Sequence, residues 1–221
     1  MKYSELKKIA DPMIARIYTD LGFKQAGKGV TNFEKKVSPY CTQVIYYTSS
    51  GQGRDYYNIL PVIWIEQSLP TIVFERMTGE RVIDACMGLN MPHISKKAPL
   101  EWEFTGDMDF EKVVADIREK MVKYAIPYLD ENINLKKFLN IYLDNGLFNS
   151  YYLIPVIYYM IGKPKKGIKY MEENMEEVMS EKMNQFPPWI PPTVRYNTFL
   201  PIFKDYVRDN PFRMEDYEGN E

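Results

Sequence analysis

Nucleophilic and metal chemistry in this chain would have to pass through very few side chains: one histidine, His93, and two cysteines, Cys41 and Cys86. A serine or cysteine triad needs an imidazole as its general base, so His93 would be the pivot of any such site. The histidine sits in Asn90-Met91-Pro92-His93-Ile94-Ser95, which reads as a loop with neither a nucleophile elbow nor a cysteine-protease signature beside it. Cys86 is the one thiol near enough in sequence to pair with it, and the two read better as a buried cysteine and a loop histidine. Zinc needs three or four Cys, His or carboxylate ligands at short spacing, which this set does not supply. No catalytic residue, metal ligand or cofactor is therefore assigned; an oxygen-only magnesium site stays open because it carries no sequence pattern here.

Other candidates are weaker. Glu101 and Glu103 share one face of an alternating stretch and could do acid-base work, although a half-exposed strand face is usually just solvated. Gly27-Lys28-Gly29 and Gly51-Gln52-Gly53 do not open a helix after a parallel strand, as a phosphate cradle must, and read as turns. The second of these loops leads into Arg54, Asp55, Tyr56 and Tyr57. Arginine with tyrosine is the mixture enriched at protein interfaces, so these four residues are the first choice for a partner-binding surface. Met171, Met175, Met179 and Met183 recur every fourth residue beside Glu172, Glu173, Glu176 and Glu177, a stripe that reads as core with an acidic outer side.

The elements that must position these groups follow from periodicity. Leu6, Ile9, Met13, Ile14, Ile17 and Leu21 give a helical stripe over 4–21 that Gly22 ends. Strands are expected at 31–37, 42–48, 56–66 and 100–105, with the polar run 49–55 as a hairpin loop. The 59–65 stretch is apolar on both faces, as in a central strand, yet Pro61 cannot donate to a ladder and implies a bulge or an edge. Thr71–Met77 and Arg81–Gly88, joined through Thr78-Gly79-Glu80, read as a second hairpin. After Trp102 the period lengthens: Asp107 or Asp109 caps a helix carrying Phe110, Val113, Val114, Ile117, Met121 and Tyr124, until Pro127 stops it. Leu135 to Leu143 forms a short helix closed by Asn145-Gly146. Next comes a helical hairpin of tetratricopeptide type, 154–161 and 165–183, turning at Gly162-Lys163-Pro164. From Gln185 a proline-rich strap with Phe186, Val194, Tyr196, Phe199, Leu200 and Phe203 packs on the body, and the acidic end, 215–221, reads as disordered.

The fold class is thus α+β: an antiparallel sheet of about five to six strands flanked by an N-terminal and a central helix, then a C-terminal helical hairpin region and a proline-rich strap. An α+β domain over 1–130 and a helical extension over 131–221 form one compact module.

Composition narrows the partners. A net charge of −2 lacks the concentrated basic surface that nucleic acid requires, and the lysine doublets are scattered. The longest apolar stretch, 151–161, is about half of the roughly 20 residues a membrane span needs. Two cysteines and a first segment without an apolar leader point to a cytoplasmic protein.

Asp20-Leu21-Gly22-Phe23-Lys24, Asn32-Phe33-Glu34, Gln43-Val44-Ile45 and Ala125-Ile126-Pro127-Tyr128-Leu129, with this order of elements, carry a resemblance over roughly the first 130 residues. The chain resembles an uncharacterised family of bacterial domains of unknown function, some of which are regarded as immunity proteins beside polymorphic toxins. That resemblance implies no catalytic residues. The expected function is that of an intracellular bacterial binding protein, immunity-type, that holds and inhibits a protein partner through an exposed sheet face or hairpin loops. The 18 tyrosines suit such contacts. The alternative is a small-molecule-binding protein or a carboxylate-based enzyme with a cleft between the sheet and the helical part. Oligomeric state is not readable.

Overall fold

The computed structural model describes residues 1–27, 31–80, 85–90, 101–145, 150–179 and 196–217, with the backbone alone at 85–90, 145, 150 and 179. His93 and the strap residues 185–195 lie outside the described residues, as does the side chain of Cys86. The chain divides into two compact units, Met1–Glu66 with Cys86–Ile133, and Gln67–Ala85 with Asn134–Glu221.

The first unit is α+β. Helix α1 (Tyr3–Asp20) buries Leu6, Ala10, Ile14, Ile17 and Tyr18. Ile9, expected on that stripe, is instead 44% exposed. Gly22 ends the helix with φ +86°, a conformation that costs glycine no Cβ clash. A six-stranded sheet follows: β1 (Lys24–Gln25), β2 (Asn32–Ser38), β3 (Cys41–Ser50), β4 (Tyr56–Gln67), β5 (Ala85–Asn90) and β6 (Trp102–Thr105). Their order is β1-β2-β3-β4-β5, with β6 also on β4. The antiparallel ladders set Phe33 opposite Ile45, Tyr57 opposite Phe104 and Ile59 opposite Trp102.

These pairs share one face, covered by α1 and by α3 (Phe110–Lys120). Tyr18 packs on Phe33 at 4.9 Å, Phe104 on Phe110 at 5.1 Å, and the Trp102 indole N–H donates to Asp116 Oδ2 at 2.8 Å. Asp109 is the N-cap of α3, its carboxylate accepting from the Lys112 N–H. Pro61 proves compatible with a central strand. β4 lies between β3 and β5, and Pro61 sits two residues past the last β4–β6 pair, Ile59 with Trp102.

Three expectations need correction in the helical segments. Pro127 does not stop the central helix: the chain widens into a π turn at Met121–Ala125, with the Ile126 N–H bonded to the Met121 carbonyl, and continues as α4 (Ile126–Glu131). Widening the ladder beside a residue that cannot donate lets the helix pass it. Thr71–Met77 is not a strand. It lies in α2 (Ser68–Thr78) of the second unit, which buries Leu69, Val73, Phe74 and Met77 at helical spacing and ends at Gly79 with φ +74°. The single helix expected over 165–183 is broken at Asn174, giving α7 (Pro164–Glu173) and α8 (Met175–Met179). The Asn174 side chain bonds to the Tyr170 carbonyl at 2.8 Å, closing the first of them.

The rest of the second unit is α5 (Leu135–Asn145), α6 (Ser150–Met160) and α9 (Tyr196–Asp209). Helices α6 and α7 form the expected hairpin, turning at Gly162 with φ +74°. They approach so closely that a Cβ on Gly167 would lie 2.8 Å from the Pro155 carbonyl oxygen. Residues 196–203, expected in an extended strap, are helical, and Tyr196, Phe199 and Phe203 are buried along one side of α9. Residues 214–216 form a 3-10 turn and Tyr217 is buried, so this part of the acidic end is ordered.

Candidate functional site

The loop 51–55 joins β3 to β4, and its backbone is tightly set. Gly51 has φ +105°, and a Cβ there would lie 2.4 Å from the Tyr56 carbonyl oxygen. Its carbonyl accepts from the Arg54 N–H at 2.8 Å, while the Arg54 carbonyl accepts from the Tyr3 N–H at 3.1 Å. The start of α1 is thereby fastened to the loop. Beside this junction opens a groove of about 810 Å³ lined by Lys2, Tyr3, Ser4, Gln52, Gly53, Arg54 and Asp55.

The four residues singled out in the sequence do not lie together on the surface. Arg54 and Asp55 are exposed at the groove, and Tyr56 is half-buried. Tyr57 is turned inward and fully buried, because strand alternation puts it on the face that α1 covers. Its ring meets Tyr3 edge-on at 5.4 Å, and its hydroxyl donates to Asp11 Oδ1 at 2.5 Å. Burial, then the bond to Asp11, drives the Tyr57 phenol well above its ordinary range, and burial does the same to Tyr47. Both are therefore neutral anchors under the loop rather than acid-base groups.

Tyr56 points to the opposite face of the sheet, and there it joins residues that the sequence pattern did not single out. Along β4, Tyr56, Asn58, Leu60, Val62 and Trp64 are all half-exposed. On β3, Tyr46 lies with its ring 6.1 Å from Trp64, and Val44 on the same face is buried. Three side-chain bonds run across this face. The Trp64 indole donates to Glu66 Oε1 at 2.9 Å, Asn32 Nδ2 donates to Glu34 Oε1 at 3.2 Å, and Asn58 Nδ2 donates to Glu101 Oε1. Glu103 stands opposite Asn58 in the ladder and is exposed. Thus Glu101 and Glu103 flank an aromatic and aliphatic strip, one of them spent in orienting an amide.

Other residues that stood out in the sequence have structural tasks. Gln43, 1% exposed, donates from Nε2 to Asp130 Oδ1 at 2.8 Å and fastens β3 to α4, while Phe23, Phe33 and Leu129 are in the core. Arg118 of α3 pairs with Asp20 of α1 at 3.4 Å. Cys41 is a free, buried cysteine whose thiol burial pushes up to about 11, which suppresses the reactive thiolate.

Among the described residues, no group of three or more His, Cys, Asp or Glu side chains could hold a metal ion. No helix among them is long and apolar enough to cross a membrane. Comparison of the chain with protein-family models, with curated proteins and with solved structures finds no match.

Proposed function

We propose that this chain is a binding protein that holds a protein partner against the second face of its sheet and the 51–55 loop, in the manner of the immunity-type inhibitors it resembles. The observation that carries the reading is the strip Tyr46, Tyr56, Leu60, Val62 and Trp64, half-exposed on adjoining strands, with Arg54 at one end. Tryptophan, tyrosine and arginine are the residue types that dominate binding energy at protein interfaces, and here the bond to Glu66 and the contact with the Tyr46 ring restrain the Trp64 side chain before a partner arrives. Less side-chain entropy is then lost on binding.

Charge narrows the partner. Glu34, Glu66, Glu101 and Glu103 border the strip, so a partner presenting lysine or arginine around an apolar centre is complementary to it. A tagged chain expressed in its source cells should retain one stoichiometric protein of net basic charge. Repeated recovery of the chain alone at low ionic strength contradicts the reading.

A further inference from the structure

We propose that the second unit carries a binding site for a small oxyanion, a phosphoryl or carboxylate group, between Arg76 of α2 and Arg213 of the C-terminal turn. The two arginines line a cavity of about 310 Å³ together with Tyr159, Tyr206, Asn210 and Tyr217. That volume accommodates a phosphate or a small carboxylic acid with room for part of the molecule that bears it.

Arg76 is held in place rather than free to sweep. Its guanidinium lies over the Tyr217 ring, 5.0 Å from the centroid, and Nη1 donates to the Asp216 carbonyl at 3.2 Å. A guanidinium has five N–H donors in a fixed fork, so this anchoring leaves donors to present to a ligand. Arg213 is exposed, and among the described residues its side chain has no ion-pair partner. The wall behind both is rigid: Tyr159 packs edge-on against Tyr206 at 6.1 Å and Phe212 at 5.6 Å, Phe212 stacks on Tyr217 at 5.6 Å, and the Tyr159 hydroxyl donates to the Asn210 carbonyl at 2.7 Å. Arg213 is thus carried on a segment fastened at both ends.

Two carboxylates also border the cavity, and they decide how strong the site can be. Asp209 is bonded by Arg208 at 3.0 Å to each oxygen, but the same guanidinium also donates to Asp205 at 3.1 Å, so the charge of Asp209 is offset only in part. With Asp216 it sets two carboxylates against the two cavity arginines, so the lining is close to neutral and the site relies on the directed N–H donors of Arg76 and Arg213 rather than on net charge. Burial pushes the Tyr217 phenol up to about 12, so near neutral pH it stays a hydroxyl instead of adding a negative charge. A partly solvated site of this kind is screened by salt, which makes ionic strength part of the test.

The experiment is a calorimetric titration of the full chain with inorganic phosphate and, separately, with acetate, at low and at raised potassium chloride. Saturable binding is expected, weakened at least about five-fold in Arg76→Gln and in Arg213→Gln and abolished in the double variant, with circular dichroism confirming that each is folded. Arg76→Lys, which keeps the charge and loses the fork, should fall between the parent and Arg76→Gln. Tighter phosphate binding assigns a phosphoryl ligand, and tighter acetate binding a carboxylate. Absence of saturation with both probes, or equal binding by the folded double variant, overturns the proposal. Neither outcome bears on the partner-binding surface, which lies in the other unit.

Discussion

The Tyr57 hydroxyl donates to Asp11 Oδ1 across 2.5 Å, tying β4 to α1 directly beneath the loop that carries Arg54. Tyr57 therefore supports the proposed contact surface from below and takes no part in it. Tyr57→Phe keeps the ring among Tyr3 and Phe104 and removes only the hydroxyl. It should cost about 1–2 kcal/mol in urea unfolding, since a charged acceptor loses its donor, while partner retention stays unchanged. Loss of the partner by the folded variant would mean that the tyrosine is part of the interface.

Gly167 faces the Pro155 carbonyl oxygen where α6 and α7 cross, and a Cβ at 2.8 Å from a backbone atom cannot be relieved by a side-chain rotation. Gly167→Ala should destabilise the second unit by about 1–3 kcal/mol, the range for overpacking, despite alanine's better helix propensity. Thermal unfolding checks this; an unchanged or raised Tm would show that the helices are free to part.

Burial pushes Tyr128 and Tyr152 up to about 12, and drives Tyr18, Tyr57 and Tyr196 well above the ordinary tyrosine value of 10.0. The folded state holds these phenolic protons more tightly than the unfolded chain. Their contribution to stability is complete below pH about 10 and is lost as the pH rises towards and beyond 12. Urea midpoints should accordingly be flat from neutrality to about pH 10 and then fall. The phenolate absorbance should rise together with unfolding; smooth titration of all tyrosines in a folded chain would contradict the burial described here.

The sheet was legible because its strands alternate. Leu100, Trp102 and Phe104 separate cleanly from Glu101, Glu103 and Thr105, and the glycine-bearing run before Arg54 marks the turn. Helix α2 was not legible in the same way. Thr71, Ile72, Val73 and Phe74 are side chains that favour strands, and only the Leu69, Val73 and Met77 spacing with Gly79 behind it betrays the helix. Prolines upstream and Pro201 within α9 similarly disguised the stripe of Tyr196, Phe199 and Phe203. In the site, the inward turn of Tyr57 was readable from its parity with Ile59 on one strand. The meeting of Tyr46 with Trp64 was not, because it depends on which residues of β3 and β4 stand side by side.

The central claim rests on those two rings. The most direct test measures partner retention by the tagged parent chain, by Tyr46→Ala with Trp64→Ala, and by Lys136→Ala, an exposed residue of the other unit, as control. Removing two aromatic anchors should cost about 2 kcal/mol or more in binding, at least a ten-fold loss of affinity, with the fold intact by circular dichroism and the control unaffected. Undiminished retention by a folded double variant would place the partner elsewhere and contradict the account.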